Sequence, residues 1–215
     1  MHENYAEFLE ALADLKSAVV EREKVCELVP FTYFPFLALG TDLKDAGSLP
    51  KARAALLKAA ALKPDKGDTW RELGVISARQ GEWEPARQEL EKARQFSPDD
   101  QQVPLFLGEV FWKLGRHSEA LDSLRAAMPL NPSDWQPHYR LATDLAQAIQ
   151  FPEAVSEYQE ALRLNPGQIK AKLGLAAALL NLGRETDAIQ QLDEVLIQDP
   201  GNQAALDLRR KLRSR

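Results

Sequence analysis

A single cysteine, Cys26, leaves this 215-residue chain no internal disulfide, and so few thiols suit a reducing cytoplasm, the compartment expected for it. Cys26 itself reads as a buried small hydrophobe. Histidine is almost as scarce. His2, His117 and His138 show no metal-ligand spacing with one another or with Cys26, so no metal is expected. No apolar run is long enough to span a bilayer, and no basic segment followed by an apolar one stands at the N-terminus; neither a membrane partner nor a secretion signal is expected. A net charge of −5 provides no basic excess to hold a polyanion, which argues against nucleic acid as a partner. Phosphate-cradling G-x-x-x-x-G-K-[ST] and G-x-G-x-x-G loops, H-E-x-x-H pairs and calcium loops are all missing. Asn131-Pro-Ser carries proline at its centre and cannot accept a glycan. Acidic residues are plentiful but scattered, as on solvated helix faces. No catalytic constellation and no cofactor site emerge, and no enzyme is expected.

What the chain does have is a period. Pro64, Pro98, Pro132, Pro166 and Pro200 recur every 34 residues. With proline near 5% of residues, five such matches arise by chance roughly once in a few million. Ala52, Ala86, Ala120, Ala154 and Ala188 form a second unbroken series, and Leu39, Leu73, Leu107, Leu141 and Leu175 a third. Gly40, Gly74 and Gly108 continue as Ala142 and Ala176. Within one period, 67–100, apolar spacing predicts a helix from about Asp68 to Gln80, a turn at Gly81 and a helix from about Glu84 to Phe96. The small residue eight positions in lets the second helix approach closely, and the terminal proline stops that helix. One hairpin cannot bury its apolar faces alone, so neighbours must stack.

At these residues the chain resembles the tetratricopeptide repeat (TPR) family: an aromatic (Trp70), Leu73-Gly74, a turn Gly81, Ala86, Leu90, Ala93 and Pro98. The resemblance implies an all-α fold, a right-handed TPR superhelix with capping helices at both ends. Five repeats, 33–66, 67–100, 101–134, 135–168 and 169–202, follow. Residues 1–32 read as an N-terminal capping helix or a degenerate repeat, since Ala6, Ala18 and Pro30 fall 34 residues before Gly40, Ala52 and Pro64. Residues 203–215 read as a solvating helix with Ala205, Leu208 and Leu212 inward and a basic tail. In the prelude, Tyr5, Phe8, Leu12, Leu15, Val19, Cys26 and Val29 define an apolar face, with Arg22 on the seam; Glu7, Glu10, Asp14, Glu21 and Glu23 lie opposite. Phe31, Tyr33 and Phe34 are expected to pack against this helix. Repeat four departs most, with His138 for the aromatic and Ile149 for the turn glycine, and its turn is expected to differ. Repeat five has Lys172 in the aromatic's place.

The resemblance also implies a partner: a peptide or helix of another protein held in a concave groove lined by the first helix of each repeat. On the family's groove positions stand Leu37, Arg71, Val75, Arg79, Leu105, Glu109, Trp112, Lys113, Tyr139, Arg140, Thr143, Gln147, Leu173, Leu180 and Asn181. Leu105, Trp112, Tyr139, Leu173 and Leu180 read as an apolar surface held open, with Trp112 and Tyr139 as anchors. The alternative is that they pack on the array's own inner wall or on a terminal helix. An Hsp70/Hsp90 C-terminal tail clamp is not expected. Arg71 and Arg140 fit its frame, but Val75, Phe106 and Gln136 stand where Asn, Asn and Lys are needed. Self-association through residues 1–36 as a structural scaffold is the competing function, and an accessory module of a larger enzyme a third.

Overall fold

The structure, a computed structural model, describes residues 2–213, with side chains from 14 to 212. Tyr5, Glu7, Phe8, Glu10 and Leu12 of the expected prelude faces, and Arg213 and Arg215 of the basic tail, therefore lie outside the described side chains. All regular structure among the described residues is helical.

Two units divide the chain, Met1–Leu114 and Gly115–Arg215. The first holds α1 (His2–Leu28), α2 (Tyr33–Asp45), α3 (Leu49–Leu62), α4 (Gly67–Arg79), α5 (Trp83–Phe96) and α6 (Gln102–Lys113). The second holds α7 (His117–Ala127), a 3₁₀ turn (Met128–Leu130), α8 (Trp135–Gln147), α9 (Phe151–Leu164), α10 (Ile169–Asn181), α11 (Glu185–Gln198) and α12 (Gln203–Arg213). Helices pair as hairpins, α2 with α3, α4 with α5, α8 with α9 and α10 with α11, and each hairpin packs on the next helix along the chain.

The repeated residues are the core. Ala52, Ala86, Ala120, Ala154 and Ala188 are fully buried, as are Leu56, Leu90 and Leu192. A Cβ placed on Gly74 would come within 2.6 Å of the Leu90 side chain and 3.3 Å of the Ala86 carbonyl, so only glycine fits this crossing without displacement. Repeat four solves the crossing differently. Tyr158 takes the place of Leu56 and Leu90, and its longer ring reaches past its own hairpin to Gly174 on α10, where a Cβ would sit 2.6 Å from the phenol oxygen.

The aromatic that opens the first helix of repeats one and two is held by a partner on the second. Lys58 lies 5.4 Å from the Phe36 ring centre and Lys92 4.1 Å from that of Trp70. Pro104 takes the place in repeat three, and in repeats four and five a basic side chain there meets an acid: His138 bonds Glu157 and buried Lys172 bonds Glu194, both at 2.7 Å. Position 194 is the 34-residue equivalent of 58 and 92, so lysine over a ring has become glutamate beside a lysine.

Three expectations are corrected. The turn of repeat four keeps the geometry of the others: Ile149 has φ 63°, beside 73–77° for Gly47, Gly81, Gly115 and Gly183, and the amide of Gln150 reaches Leu145 as that of Glu82 reaches Ser77. The ring of hydrogen bonds fixes the turn, and the isoleucine side chain points to solvent and bears the strain. Phe31 and Phe34, expected against α1, are 88% and 67% exposed. Tyr33 reaches forward instead, donating to Asp68 and lying 2.8 Å from the Thr69 hydroxyl on α4. Val29, expected on the inner face of α1, lies just past the helix end and is exposed. Cys26 is buried, and that burial pushes its thiol up.

Candidate peptide-binding faces

In the first unit the residues on the family's groove positions come from α2, α4 and α6. Val75 and Leu105 are each only 8% exposed, so neither belongs to an open apolar surface. Arg71, on another groove position, is not a free cation. It is ion-paired to Glu72, 3.0 Å away, and to Asp100, whose carboxylate also accepts from the Gln102 amide at the start of α6. Although burial opposes its charge, these carboxylates hold its guanidinium above its ordinary value. Lys44 bonds the other oxygen of Glu72 at 2.6 Å. A chain of charges, Lys44–Glu72–Arg71–Asp100, thus ties α2, α4 and α6 together. Arg79 is exposed and donates a long hydrogen bond, 3.5 Å, to the Lys44 carbonyl, and Lys113 lies 6.0 Å from the Trp83 ring centre. Leu37 and Trp112 are half-buried and Glu109 is exposed.

Two of the acids expected on solvated faces are buried, Glu72 and Glu89. Glu89 accepts from Ser77 at 2.6 Å and from Arg53 at 2.8 Å, and Arg53 also donates to Ser77 at 2.7 Å. This triad joins α3, α4 and α5 in the interior. A sequence signal was available: Ser77 occupies the register of Leu43, Phe111, Leu145 and Leu179, where the chain is otherwise large and apolar.

In the second unit the face is built from α8, α10 and α12. Tyr139 is half-buried in an aromatic row, 5.8 Å from Trp135 and 6.2 Å from Tyr158 by ring centres. Thr143 donates to the Tyr139 carbonyl at 2.9 Å and lies 3.2 Å from the Tyr158 hydroxyl. Arg140 and Leu173 are half-buried, and Gln147 is exposed. Leu180 and Asn181 line a cavity of about 150 Å³ whose other wall is Leu208, Lys211 and Leu212 of α12. The C-terminal helix therefore lies over this end of the face, and Leu180 packs toward a terminal helix. Asn181 donates to the Ala177 carbonyl at 2.9 Å. The α12 helix turns inward as expected: Ala205 is fully buried, Leu208 and Leu212 half-buried, and Asn202 accepts from the Ala205 amide at its start.

A second kind of hollow lies between successive second helices. One of about 590 Å³ is lined by Glu23, Cys26, Phe36, Leu39, Ala55 and Lys58, and one of about 320 Å³ by Gln159, Leu162, Lys172, Leu175, Gln191 and Glu194. These two sets are equivalent positions four periods apart, so α1 stands where a second helix stands. Among the described residues, no three His, Cys, Asp or Glu side chains are grouped to hold a metal ion. Nor is any helix long and apolar enough to cross a membrane.

Two tetratricopeptide repeat profiles match the sequence, one over residues 37–101 and 93–134 and the other over 145–212. The chain belongs to the tetratricopeptide repeat family. No curated protein matches it in sequence. Among solved structures, the TPR protein YrrB, described as having an unusual peptide-binding site, superposes with a TM-score of 0.73 at 22% identity, over 88% of this chain and 97% of YrrB. MamA from Desulfovibrio magneticus RS-1 gives 0.71 at 19% identity, over 78% and 95%. PilF of Pseudomonas aeruginosa gives 0.72 at 24%, over 87% and 82%. At these identities the likeness is one of fold. The TPR groove positions themselves divide between the units, Trp112 in the first and Tyr139 in the second.

Proposed function

We propose that this TPR chain is a non-enzymatic adaptor that holds a peptide segment of a partner protein against its first helices. The observation that carries the reading is the half-open row on α8 and α10, where Trp135, Tyr139 and Leu173 keep part of their apolar surface uncovered. Arg140 and Gln147 edge this row and give a peptide's carbonyls and carboxylates polar partners. Leu180 is left out of the contact set because α12 occupies its space, and Leu105 because it is buried. A cytoplasmic setting accords with the one buried thiol.

Peptide display on the wild-type protein, counter-selected on Tyr139→Ala and Leu173→Glu variants of native helicity, tests the proposal. A shared motif enriched only on the wild type supports it. Enrichment on both, or none, overturns it. Self-association through residues 1–36 is a second reading, and the exposure of Phe31 and Phe34 together with Leu28 favours it.

A further inference from the structure

The 34-residue register can be carried outward to both ends. Ala18, Arg22 and Val25 of α1 fall one period before Ala52, Leu56 and Ala59, the buried face on which a second helix receives its own first helix. Those three and their equivalents in repeats two, four and five are at most 4% exposed. On α1 the same face is bare: Val25 is 44% exposed and Arg22 is drawn aside to Asp42 on α2. Leu28 extends this face, and exposed Asp14 and Glu21 border it.

At the other end, Leu206, Arg209 and Arg210 of α12 fall one period after buried Lys172, Leu175 and Ala176, the face a first helix turns to its own second helix. Here too the face is uncovered. Leu206 is 38% exposed, and Arg209 and Arg210 hold surface pairs with Asp193 and Asp207. The charges are opposite. Helix α1 carries seven acidic and three basic residues, and α12 four basic and one acidic.

We infer that the bare face of α1 is a docking surface for α12 of a second copy, a heterologous head-to-tail contact. The inference rests on the second reading above, self-association through the N-terminal segment, and names its counter-surface. Leu206 meets Val25 and Leu28, and the basic helix α12 lies along the acidic helix α1. Arginines in the register of Leu-Gly keep the two helices farther apart than in a hairpin. Ion pairs therefore carry much of the contact, and association weakens as salt rises.

Sedimentation of the full chain over a range of concentration and salt, with circular dichroism to confirm folding, tests this. Wild type should self-associate at low salt. The double variants Asp14→Lys/Glu21→Lys and Arg209→Glu/Arg210→Glu should each lose association at least tenfold, and mixing the two should restore it. Association indifferent to both variants would leave the N-terminal reading standing but overturn α12 as its counter-surface. A wild type monomeric at every concentration would overturn both. A monomeric wild type that bound a synthetic basic amphipathic peptide, but not after Asp14→Lys/Glu21→Lys, would assign the face to a foreign helix and overturn the proposal.

Discussion

At Ile149 a β-branched residue is held at φ 63°, a backbone region that favours glycine, with its side chain largely in solvent. The strain brings no packing in return. Ile149→Gly is therefore expected to stabilise the protein by about 1 kcal/mol, the relief of a left-handed non-glycine residue less the added freedom of glycine in the unfolded chain. Urea unfolding should show the midpoint rising, and a fall would mean that the isoleucine packs. Tyr33 is perturbed in another way. Burial first, and then its hydrogen bond to the Asp68 carboxylate, push its phenol well above the ordinary value near 10. A group raised on folding contributes stability that is complete below its unfolded value and is lost as pH climbs above it. Wild type should thus lose stability above about pH 10 more steeply than Tyr33→Phe. Melting temperatures across pH 9–12 would decide the matter; parallel curves would exclude the effect.

Between elements, the aromatic-to-cation exchange can be tested as a unit. Lys172 is buried against α11 with Glu194 as its counter-charge, whereas equivalent positions in repeats one and two place a lysine over a ring. Glu194→Lys should destabilise the protein by roughly 1–3 kcal/mol, because it leaves a buried cation facing a like charge. Adding Lys172→Trp should recover most of that loss by rebuilding the Lys92–Trp70 arrangement. A double-mutant cycle with no coupling would show that the two positions act separately. The exchange was legible in the sequence as paired substitutions one helix apart, once the period was known. The Arg53–Ser77–Glu89 triad was less so, since Ser77 flagged a polar position without naming partners 24 and 12 residues away.

Across the whole molecule, a repeat array is held by neighbour contacts, so stability need not be uniform along it. The division into Met1–Leu114 and Gly115–Arg215 leads us to expect native-state hydrogen exchange in two blocks of different protection, meeting near residues 114–115 within the third repeat. A single uniform block under native conditions would contradict it.

The sequence by itself determined the period, the all-helical hairpins, the buried alanine and leucine series and the inward face of the last helix. Each of these is a local pattern repeated at fixed spacing, and burial follows from the repeat. Only the tertiary structure decided which groove positions remain open. Leu105 is buried, Arg71 is ion-paired to Asp100, and α12 lies over Leu180. Openness depends on what a neighbouring helix does, and a periodic pattern assigns every repeat the same face whether or not it is covered.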